Sequence, residues 1–378
     1  MEKSLDKKDK RDVKSMFLFV TVVSVVTALV TAFVGIVASL VFSNDGKIHM
    51  YVVFGFLSIT LLIMLGQMTV HLHYARWMYP LYFISSMFMG AIPYLLVASF
   101  FSLFILIILY VFNIVPDKNM LVFLRAGFLW ISLPPICWGV LAGRLLLIKR
   151  LKIPKEVSKR SKILHISDLH LGLLVGKGRL SRIKALVNSE RPDIMVISGD
   201  FIDVSPKHLE MYEDDIKKLT GLVKTYAVTG NHEYYNGLED AVSWMRNMGI
   251  TVLRNETVID DGTGLIICGV DDPQIHGSGY EDMLKTLMGR DDVDILLSHQ
   301  PLLFGQLATD RSFLMLSGHT HHGQLWPMSI FTKLLYKDGD RGLVKKGASF
   351  MYVSAGAGTW GPPLRVGSFS EMALLEIG

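Results

Sequence analysis

Three histidines lie within four positions of the segment SGHTHHGQLWP, residues 317–327. His319 and His321 are two positions apart, so on an extended segment their side chains point the same way. Imidazole is a common ligand of divalent transition metals, whereas a single histidine is more often an ordinary polar or surface residue. The segment by itself leaves both interpretations open, and the rest of the chain must decide between them.

Polar side chains end six apolar segments in the C-terminal half: KILHISDLHLG, PDIMVISGDFID, TYAVTGNHEYY, LIICGVDD, VDILLSHQP and FLMLSGHTHHGQ. Each begins as a short, often β-branched run, which is typical of a strand. Segments 178–190 and 209–224 resemble helices between them, so the pattern predicts an α/β fold. Sites in such sheets form at the carboxyl ends of the strands. The candidate residues at those ends are Asp168, His170, Asp200, Asn231, His232, His299, His319 and His321.

This set predicts a site for two divalent metal ions. All eight side chains are oxygen or imidazole donors, and they follow five different strands. Carboxylates that lie close together repel one another unless a cation joins them. Eight donors also exceed what one tetrahedral or octahedral ion takes from a protein. A pair of ions is therefore the simplest account of the set.

Five further residues are secondary candidates. Asp203 and Glu233 are expected to orient metal ligands from behind. Asp271 and Asp272 are candidates for lining the pocket. Arg365, after a Gly-Pro-Pro turn, either meets a phosphate or forms an ordinary salt bridge. His165 precedes the site on its strand and is expected in the core.

The N-terminal part is too apolar for a water-soluble protein. The chain is 51% hydrophobic overall, and its first ~145 residues contain the long uncharged runs. We therefore divide the chain into a transmembrane domain, 1–150, and a water-soluble domain, 151–378. The run 77–116 holds either one long helix or two short ones broken near Gly90 and Pro93, and we favour one. The predicted spans are 16–42, 51–70, 81–114 and 122–148.

Two basic clusters flank these spans, one in the N-terminal arm and one in residues 149–162. Because lysine and arginine accumulate on the cytoplasmic side, an even number of spans predicts that both termini and the C-terminal domain are cytoplasmic. The clusters account for most of the net charge of +4, so no nucleic-acid partner is expected. The second cluster either only sets topology or also binds anionic lipid. Cys137 and Cys268 lie in different domains and predict no disulfide.

Five blocks of the C-terminal domain resemble, in order, those of the calcineurin-like metallophosphoesterase superfamily. They are Asp168-Leu169-His170, Gly199-Asp200, Gly230-Asn231-His232-Glu233, His299 and Gly318-His319-Thr320-His321. The closing segment YVSAGAGTWGPPLRVGSFSEMALLEI resembles a membrane-associated branch with N-terminal spans. The resemblance implies a four-layer αββα sandwich of two mixed sheets, preceded by an all-α transmembrane region of about four helices.

The resemblance also implies a role for each matching residue. His232 would not bind metal and would assist the leaving group. His322, where relatives often have glycine, leaves the ligand set intact and is interpreted as a rim residue or an outward-facing neighbour. Seven residues would bind metal, three at the first ion, one bridging and three at the second: Asp168, His170 and His321; Asp200; Asn231, His299 and His319.

These observations predict a membrane-anchored, dinuclear phosphoesterase in which a metal-bridging hydroxide attacks a phosphodiester or pyrophosphate. Manganese is the first ion expected, with iron or zinc as alternatives. A lipid-linked substrate is favoured because the spans hold the site at the membrane, whose lipids are the expected partners. The alternative is a non-catalytic membrane sensor or transport-associated module with a structural metal site. The spans contain no charged residue deep in their interior, so a transport path has no visible ion site.

Overall fold

The computed structural model describes residues 2–43, 46–72, 76–289, 293–308 and 311–378. These residues form two compact units, which divide between Cys137 and Trp138. The first unit is helical, and the second contains both sheets.

Four long helices precede the sheets: α1 (Glu2–Phe42), α2 (Gly46–Leu72), α3 (Tyr79–Val111) and α4 (Lys118–Arg144). Each contains a stretch that is long and apolar enough to cross a bilayer: Thr21–Phe42, Ile48–Gln67, Tyr79–Val111 and Lys118–Arg144. The prediction of about four apolar helices is therefore confirmed. The run 77–116 forms one long helix with Pro93 inside it, as expected.

The fourth predicted span ends earlier than expected. Helix α4 stops at Arg144, and Leu146–Ile153 form strand β1, whereas the span was predicted to reach residue 148. The last turns of α4 also belong to the second unit, where Gly139 accepts a hydrogen bond from the Arg365 backbone N–H at 2.9 Å. The predicted domain boundary at 150 thus lies beyond this division. The apolar run Leu145–Ile148 continues directly from the helix, and periodicity does not separate a helix end from a short apolar strand.

Two mixed, six-stranded sheets form the second unit. The first has the order β1-β12-β2-β3-β4-β5, and the second has the order β10-β11-β9-β8-β7-β6. Strands β2, β3 and β4 run parallel, as do β7, β8, β9 and β11. The strands of the first sheet are β1, β2 (Ser161–Ile166), β3 (Ile194–Ser198), β4 (Lys224–Val228), β5 (Ile250–Val252) and β12 (Ser370–Ile377). Those of the second are β6 (Glu256–Ile259), β7 (Ile266–Gly269), β8 (Ile295–Leu297), β9 (Leu314–Ser317), β10 (Gly342–Lys346) and β11 (Ser349–Val353).

Apolar side chains from both sheets pack into one buried core. Val196 and Val228 of the first sheet share this core with Ile267, Leu297 and Leu316 of the second. A second core lies between the second sheet and the helices beside it, and α5, α6 and α8 bury their apolar residues around the first sheet. The predicted αββα sandwich is confirmed. The remaining helices are α5 (Lys177–Glu190), α6 (Glu213–Thr220), α7 (Asn231–Tyr235), α8 (Leu238–Asn247), α9 (Pro273–His276), α10 (Tyr280–Leu287), α11 (Phe304–Leu307) and α12 (Met328–Leu335).

All six predicted strands are present, but one predicted helix is shorter than expected. Residues 209–224 were predicted to be helical throughout, whereas only Glu213–Thr220 form α6 and Lys224 already begins β4. Two short 3-10 turns precede α6. The run of charged residues there favours a helix locally, and it carries no signal for where the next strand begins.

Candidate metal centre

The eight predicted site residues all lie just beyond the carboxyl ends of their strands. Asp168 and His170 follow β2, Asp200 follows β3, and His299 follows β8. Asn231 and His232 open α7 after β4, while His319 and His321 follow β9. Strands β2, β3 and β4 are neighbours in one sheet, and β8 and β9 are neighbours in the other. Because the sheets share a core, these strand ends meet at one edge of the sandwich.

One group of donors surrounds His170. Its Nε2 atom lies 3.0 Å from Nε2 of His321, and that atom is 3.4 Å from Oδ1 of Asp168. The ligand atoms of these three residues all lie within 4.8 Å of one another. Asp168 is fully buried, and burial raises the pKa of its carboxyl group.

A second group surrounds Asn231. Its Oδ1 atom lies 2.9 Å from Nδ1 of His319 and 3.2 Å from Nε2 of His299. The two histidine nitrogens are themselves 3.2 Å apart. An amide oxygen and two imidazole nitrogens therefore converge on one point.

Asp200 lies between the two groups. Its Oδ2 atom is 3.2 Å from Nε2 of His299 and 3.8 Å from Nε2 of His170. Burial raises the pKa of Asp200, but the charges of His299 and His232 outweigh burial and hold this pKa well below its usual value. The side chain is thus a carboxylate near neutral pH, even though it is buried.

Hydrogen bonds behind two of the histidines turn one ring nitrogen towards the cluster. The Nδ1–H of His170 donates to Oδ1 of Asp203 at 3.2 Å, and that of His299 donates to the carbonyl oxygen of Ser198 at 2.8 Å. In each neutral ring, Nε2 then carries the lone pair that a cation would use. Asp203 therefore has the orienting contact that the sequence predicted for it.

The protonation of the histidines is uneven. Burial and the charge of His299 lower the pKa of His319 to about 3, and burial together with the charges of His170 and Arg365 lowers the pKa of His321 well below its usual value. Burial also lowers the pKa of His299, but the carboxylate of Asp200 outweighs it and raises this pKa. A cation at Asp200 would compete with the proton on His299, since metal ligands bind as neutral imidazoles.

His232 occupies the rim of the cluster. Its Nδ1 atom lies 2.9 Å from Oδ1 of Asp203. Burial lowers the pKa of His232, but the charge of Asp200 and the hydrogen bond with Asp203 outweigh it and raise the pKa to about 9. A ligand atom of His232 also lies within 4.8 Å of those of His170 and Asp200. Geometry therefore permits metal binding at His232 as well as the predicted role with the leaving group.

The backbone at the strand ends is strained. Asp168, Asp200 and His319 have φ values of 50°, 50° and 69°, in the left-handed region that non-glycine residues rarely adopt. Glycine is needed where the loops approach most closely: a Cβ at Gly230 would overlap the carboxylate of Asp200, and one at Gly318 would overlap that of Asp168. The glycines of the motifs thus give the carboxylates their space.

Glu233 supports the backbone rather than a ligand side chain. Its buried carboxylate accepts hydrogen bonds from the backbone N–H groups of Asp200 at 2.9 Å, Phe201 at 2.8 Å and Ile202 at 3.0 Å. It also accepts one from Gly230 at 2.8 Å. Glu233 therefore joins the loop after β3 to the start of α7, and so fixes two of the predicted ligands relative to each other.

Arg365 differs from both sequence interpretations. Its side chain is fully buried, and its guanidinium donates to the carbonyl oxygen of Gly358 at 2.7 Å and to the hydroxyl of Ser368 at 3.2 Å. It also lies 3.2 Å from Nδ1 of His321. The arginine ties the closing segment to the loop that carries His321.

His322 faces away from the cluster, with Nδ1 2.8 Å from Oδ2 of Asp340. Its side chain is mostly buried, which differs from an outward-facing neighbour. Asp271 pairs with Arg254 at 3.0 Å, and Asp272 accepts a hydrogen bond from Gln300 at 3.0 Å. Both aspartates are buried and make these structural contacts instead of lining an open pocket.

Four residues near the cluster were not among the predictions. Ser167 donates a hydrogen bond to Asp168 at 2.5 Å. The rings of Tyr235 and Trp360 lie 5.6 and 6.2 Å from that of His232, and the ring of Tyr336 lies 5.9 Å from that of His319. Only Ser167 and Tyr235 lie near a motif in the sequence, so position gave no signal for the others. His165 is in the core, as predicted.

The donor set fits divalent metal ions. Among the described residues, three groups of aspartate and histidine have ligand atoms within 4.8 Å of one another: Asp168, His170 and His321; His170, Asp200 and His232; and Asp200, His299 and His319. Carboxylate and neutral imidazole are ligands that manganese, iron and zinc share. The structure thus brings all predicted ligands together, and their individual roles stay predictions.

Comparison with known proteins agrees with this site. Residues 161–323 match the calcineurin-like phosphoesterase family. A metallophosphoesterase of Helicobacter pylori strain J99 is 36% identical over 273 residues, which cover 69% of this chain and 72% of the relative. A bovine transmembrane protein with a metallophosphoesterase domain is 36% identical over 234 residues, covering 57% of this chain and 52% of the relative. The solved structure of TT1561 from Thermus thermophilus aligns with 15% identity and a TM-score of 0.35, over 52% of this chain and 90% of that one.

The long match to the Helicobacter relative extends well beyond the motifs, and a transmembrane relative shares the same domain. This favours an enzyme over the non-catalytic module considered above. The chain belongs to the calcineurin-like metallophosphoesterases and is a metal-dependent phosphoesterase preceded by four apolar helices.

Proposed function

We propose that this protein uses two divalent metal ions to hydrolyse a lipid-linked phosphodiester or pyrophosphate at the cell membrane. The observation that carries the proposal is the position of Asp200, with Oδ2 3.8 Å from His170 on one side and 3.2 Å from His299 on the other. A carboxylate has two oxygens and is therefore suited to join two cations. Asp168 and His321 extend the set on the first side, as His319 does on the second.

Two bound divalent ions would neutralise charge on a phosphoryl group and supply a water molecule of lowered pKa. The chain itself supplies an arrangement that is fixed before substrate binds. Asp203 and the Ser198 carbonyl orient the rings of His170 and His299, and Glu233 holds the backbone of Asp200. Asn231 contributes a neutral oxygen, which keeps the site from becoming too anionic to admit a phosphate.

His232 is the proposed proton donor to the leaving group. It lies at the rim, next to a predicted ligand in sequence, and its Nδ1–H donates to Asp203. That hydrogen bond orients the ring so that Nε2 is free to face a substrate. A proton delivered there would stabilise an alkoxide as it departs.

The preference for lipid-linked substrates rests on the four apolar helices in the same chain. A protein held at a bilayer meets lipid headgroups at far higher local concentration than soluble nucleotides. The purified full-length chain should therefore hydrolyse phospholipids or nucleotide-linked lipids when supplied with manganese, iron or zinc in turn. Turnover of cyclic nucleotides without any lipid ester would contradict the substrate class while leaving the phosphoesterase activity intact.

The two-ion proposal predicts the metal content of variants. The full-length chain loaded with manganese should approach two ions per chain by elemental analysis, since its donors form two groups joined by Asp200. Asp200→Asn should lose the most metal, because that carboxylate faces both groups. His319→Ala should lose metal from the second group only.

His322→Ala is the matched control, because this neighbouring histidine pairs with Asp340 and faces away from the cluster. It should keep the metal content of the unmodified chain. A saturated content of one ion or less in the unmodified chain would sink the dinuclear proposal.

The role of His232 predicts a dependence on the leaving group. His232→Ala should retain metal and lower the rate of alkyl phosphodiester hydrolysis by about 10²–10⁴-fold, the usual contribution of acid–base assistance. An ester with an acidic phenol as leaving group needs little protonation, so its rate should fall less. His319→Ala should lose activity on both esters alike, together with metal. The measurement is a pair of rate constants for each variant alongside its metal content.

Equal losses on both esters with metal retained would remove the acid role from His232. Loss of metal from His232→Ala would instead make it a ligand, which its proximity to His170 and Asp200 also permits.

We further propose that the catalytic domain is cytoplasmic, because four spans would return the chain to the side of the N-terminal basic arm. A periplasmic-type phosphatase reporter fused after Gly378 should then be inactive. The same reporter fused after Asp117, between α3 and α4, should be active and serves as the matched control. An active fusion after Gly378 would place the catalytic domain outside.

A further inference from the structure

Helix α12 exposes an apolar surface. Phe331, Leu334 and Leu335 are 54%, 66% and 74% exposed, and Met328 and Ile330 are close to half exposed. None of the residues of α12 is buried. We call the outward side chains of Met328, Ile330, Phe331, Leu334 and Leu335 the α12 surface.

The inward side of α12 is polar. Thr332 donates a hydrogen bond to Oδ2 of Asp340 at 2.9 Å, and Ser329 is half-buried on the same side. This is the reverse of an ordinary surface helix, which turns its apolar residues inward and its polar residues to water. A contiguous exposed apolar surface of this kind marks an interaction with a partner or a membrane.

The α12 surface is attached directly to the metal centre. Asp340, which holds Thr332, also accepts a hydrogen bond from His322 at 2.8 Å. The ring of Tyr336, which follows the helix, lies 5.9 Å from that of His319. Whatever binds the α12 surface is therefore brought beside the mouth of the site.

Exposed aromatic side chains extend the apolar character across the mouth. Tyr235 and Trp360 are 61% and 55% exposed, and both rings lie close to His232. Trp326, just before α12, is 49% exposed. Tryptophan and tyrosine are the residues that concentrate at the boundary between membrane and water.

The charge of this segment suits an anionic lipid surface. Residues 326–337 carry two lysines, Lys333 and Lys337, and no acidic residue. Both lysines are exposed. Basic residues interleaved with tryptophan, phenylalanine and leucine are typical of helices that lie in the membrane interface.

We propose that the α12 surface docks into the lipid bilayer, with its apolar side chains about 5–10 Å into the boundary between headgroups and acyl chains. Docking sets the mouth of the metal centre at the level of the lipid headgroups. This deepens the proposed function and rests on it for the substrate, but the docking itself is measured without turnover.

The test uses the full-length chain in nanodiscs of phosphatidylcholine and phosphatidylglycerol, one chain per disc. Phe331→Cys and Leu222→Cys are each made with Cys137→Ser, which removes the exposed native cysteine and leaves the buried Cys268. Leu222 is the matched control, an exposed leucine (48%) before the amino end of β4 and so away from the site. Nitroxide labels then report accessibility to oxygen, which enters lipid, and to a water-soluble nickel complex.

The label at position 331 should be accessible to oxygen and protected from nickel, at a depth of about 5–10 Å. The label at position 222 should show the opposite. Retained hydrolysis of bis(p-nitrophenyl) phosphate verifies folding, and Leu335→Cys replaces Phe331→Cys if that variant misfolds. Nickel accessibility at position 331 equal to that at 222 would overturn the proposal.

Two outcomes separate this inference from others. Protection of position 331 only in discs that hold two chains would identify a second copy as the occupant and overturn lipid docking. Docking without hydrolysis of any lipid ester would leave the α12 proposal standing and remove the substrate class. Hydrolysis of lipid esters with position 331 in water would do the reverse.

Discussion

The arrangement of the site depends on the buried carboxylate of Asp200. A buried charge is costly unless opposite charges and hydrogen bonds surround it, and Asp200 is 2% exposed. Oδ2 faces His170 and His299, while Oδ1 accepts the backbone N–H of His232 at 2.9 Å. Strands from both sheets contribute to this environment, so the carboxylate joins the two halves of the sandwich at one edge. The absence of a side chain at Gly230 and the four hydrogen bonds to Glu233 follow from the same requirement, since both keep the loops close around it.

Rigidity comes from the apolar core, and the polar site uses it. Strands β2, β3, β8 and β9 are buried for most of their length, and each ends in residues of the site. A close-packed core resists deformation, and it therefore holds the left-handed backbone at Asp168, Asp200 and His319 that an isolated loop would relax. Strained loops on a rigid scaffold give an arrangement that needs little reorganisation when an ion or a phosphate binds.

Much of the site was predictable from sequence because each strand announces its own end. An apolar run followed abruptly by aspartate, asparagine or histidine fixes both the element and the place of the side chain, and this holds for all five strands of the site. The prediction was wrong where two elements share one composition: Leu146–Ile148 continue the apolar helix α4 but form β1. Arg365 was unpredictable for a different reason. Its contacts with Gly358, Ser368 and His321 come from tertiary packing, and no local pattern distinguishes a buried arginine from an exposed one.

The residues that face the metal centre do not by themselves distinguish one phosphate ester from another. Their donors point at one another, and only a phosphoryl group needs to reach them. Selection among substrates must therefore come from the rim, where Tyr235, Tyr336 and Trp360 approach the catalytic histidines from different elements. These side chains lie on α7, after α12 and in the closing segment, outside the strands that build the core. The rim can thus change without disturbing the metal ligands, which separates the choice of substrate from the chemistry.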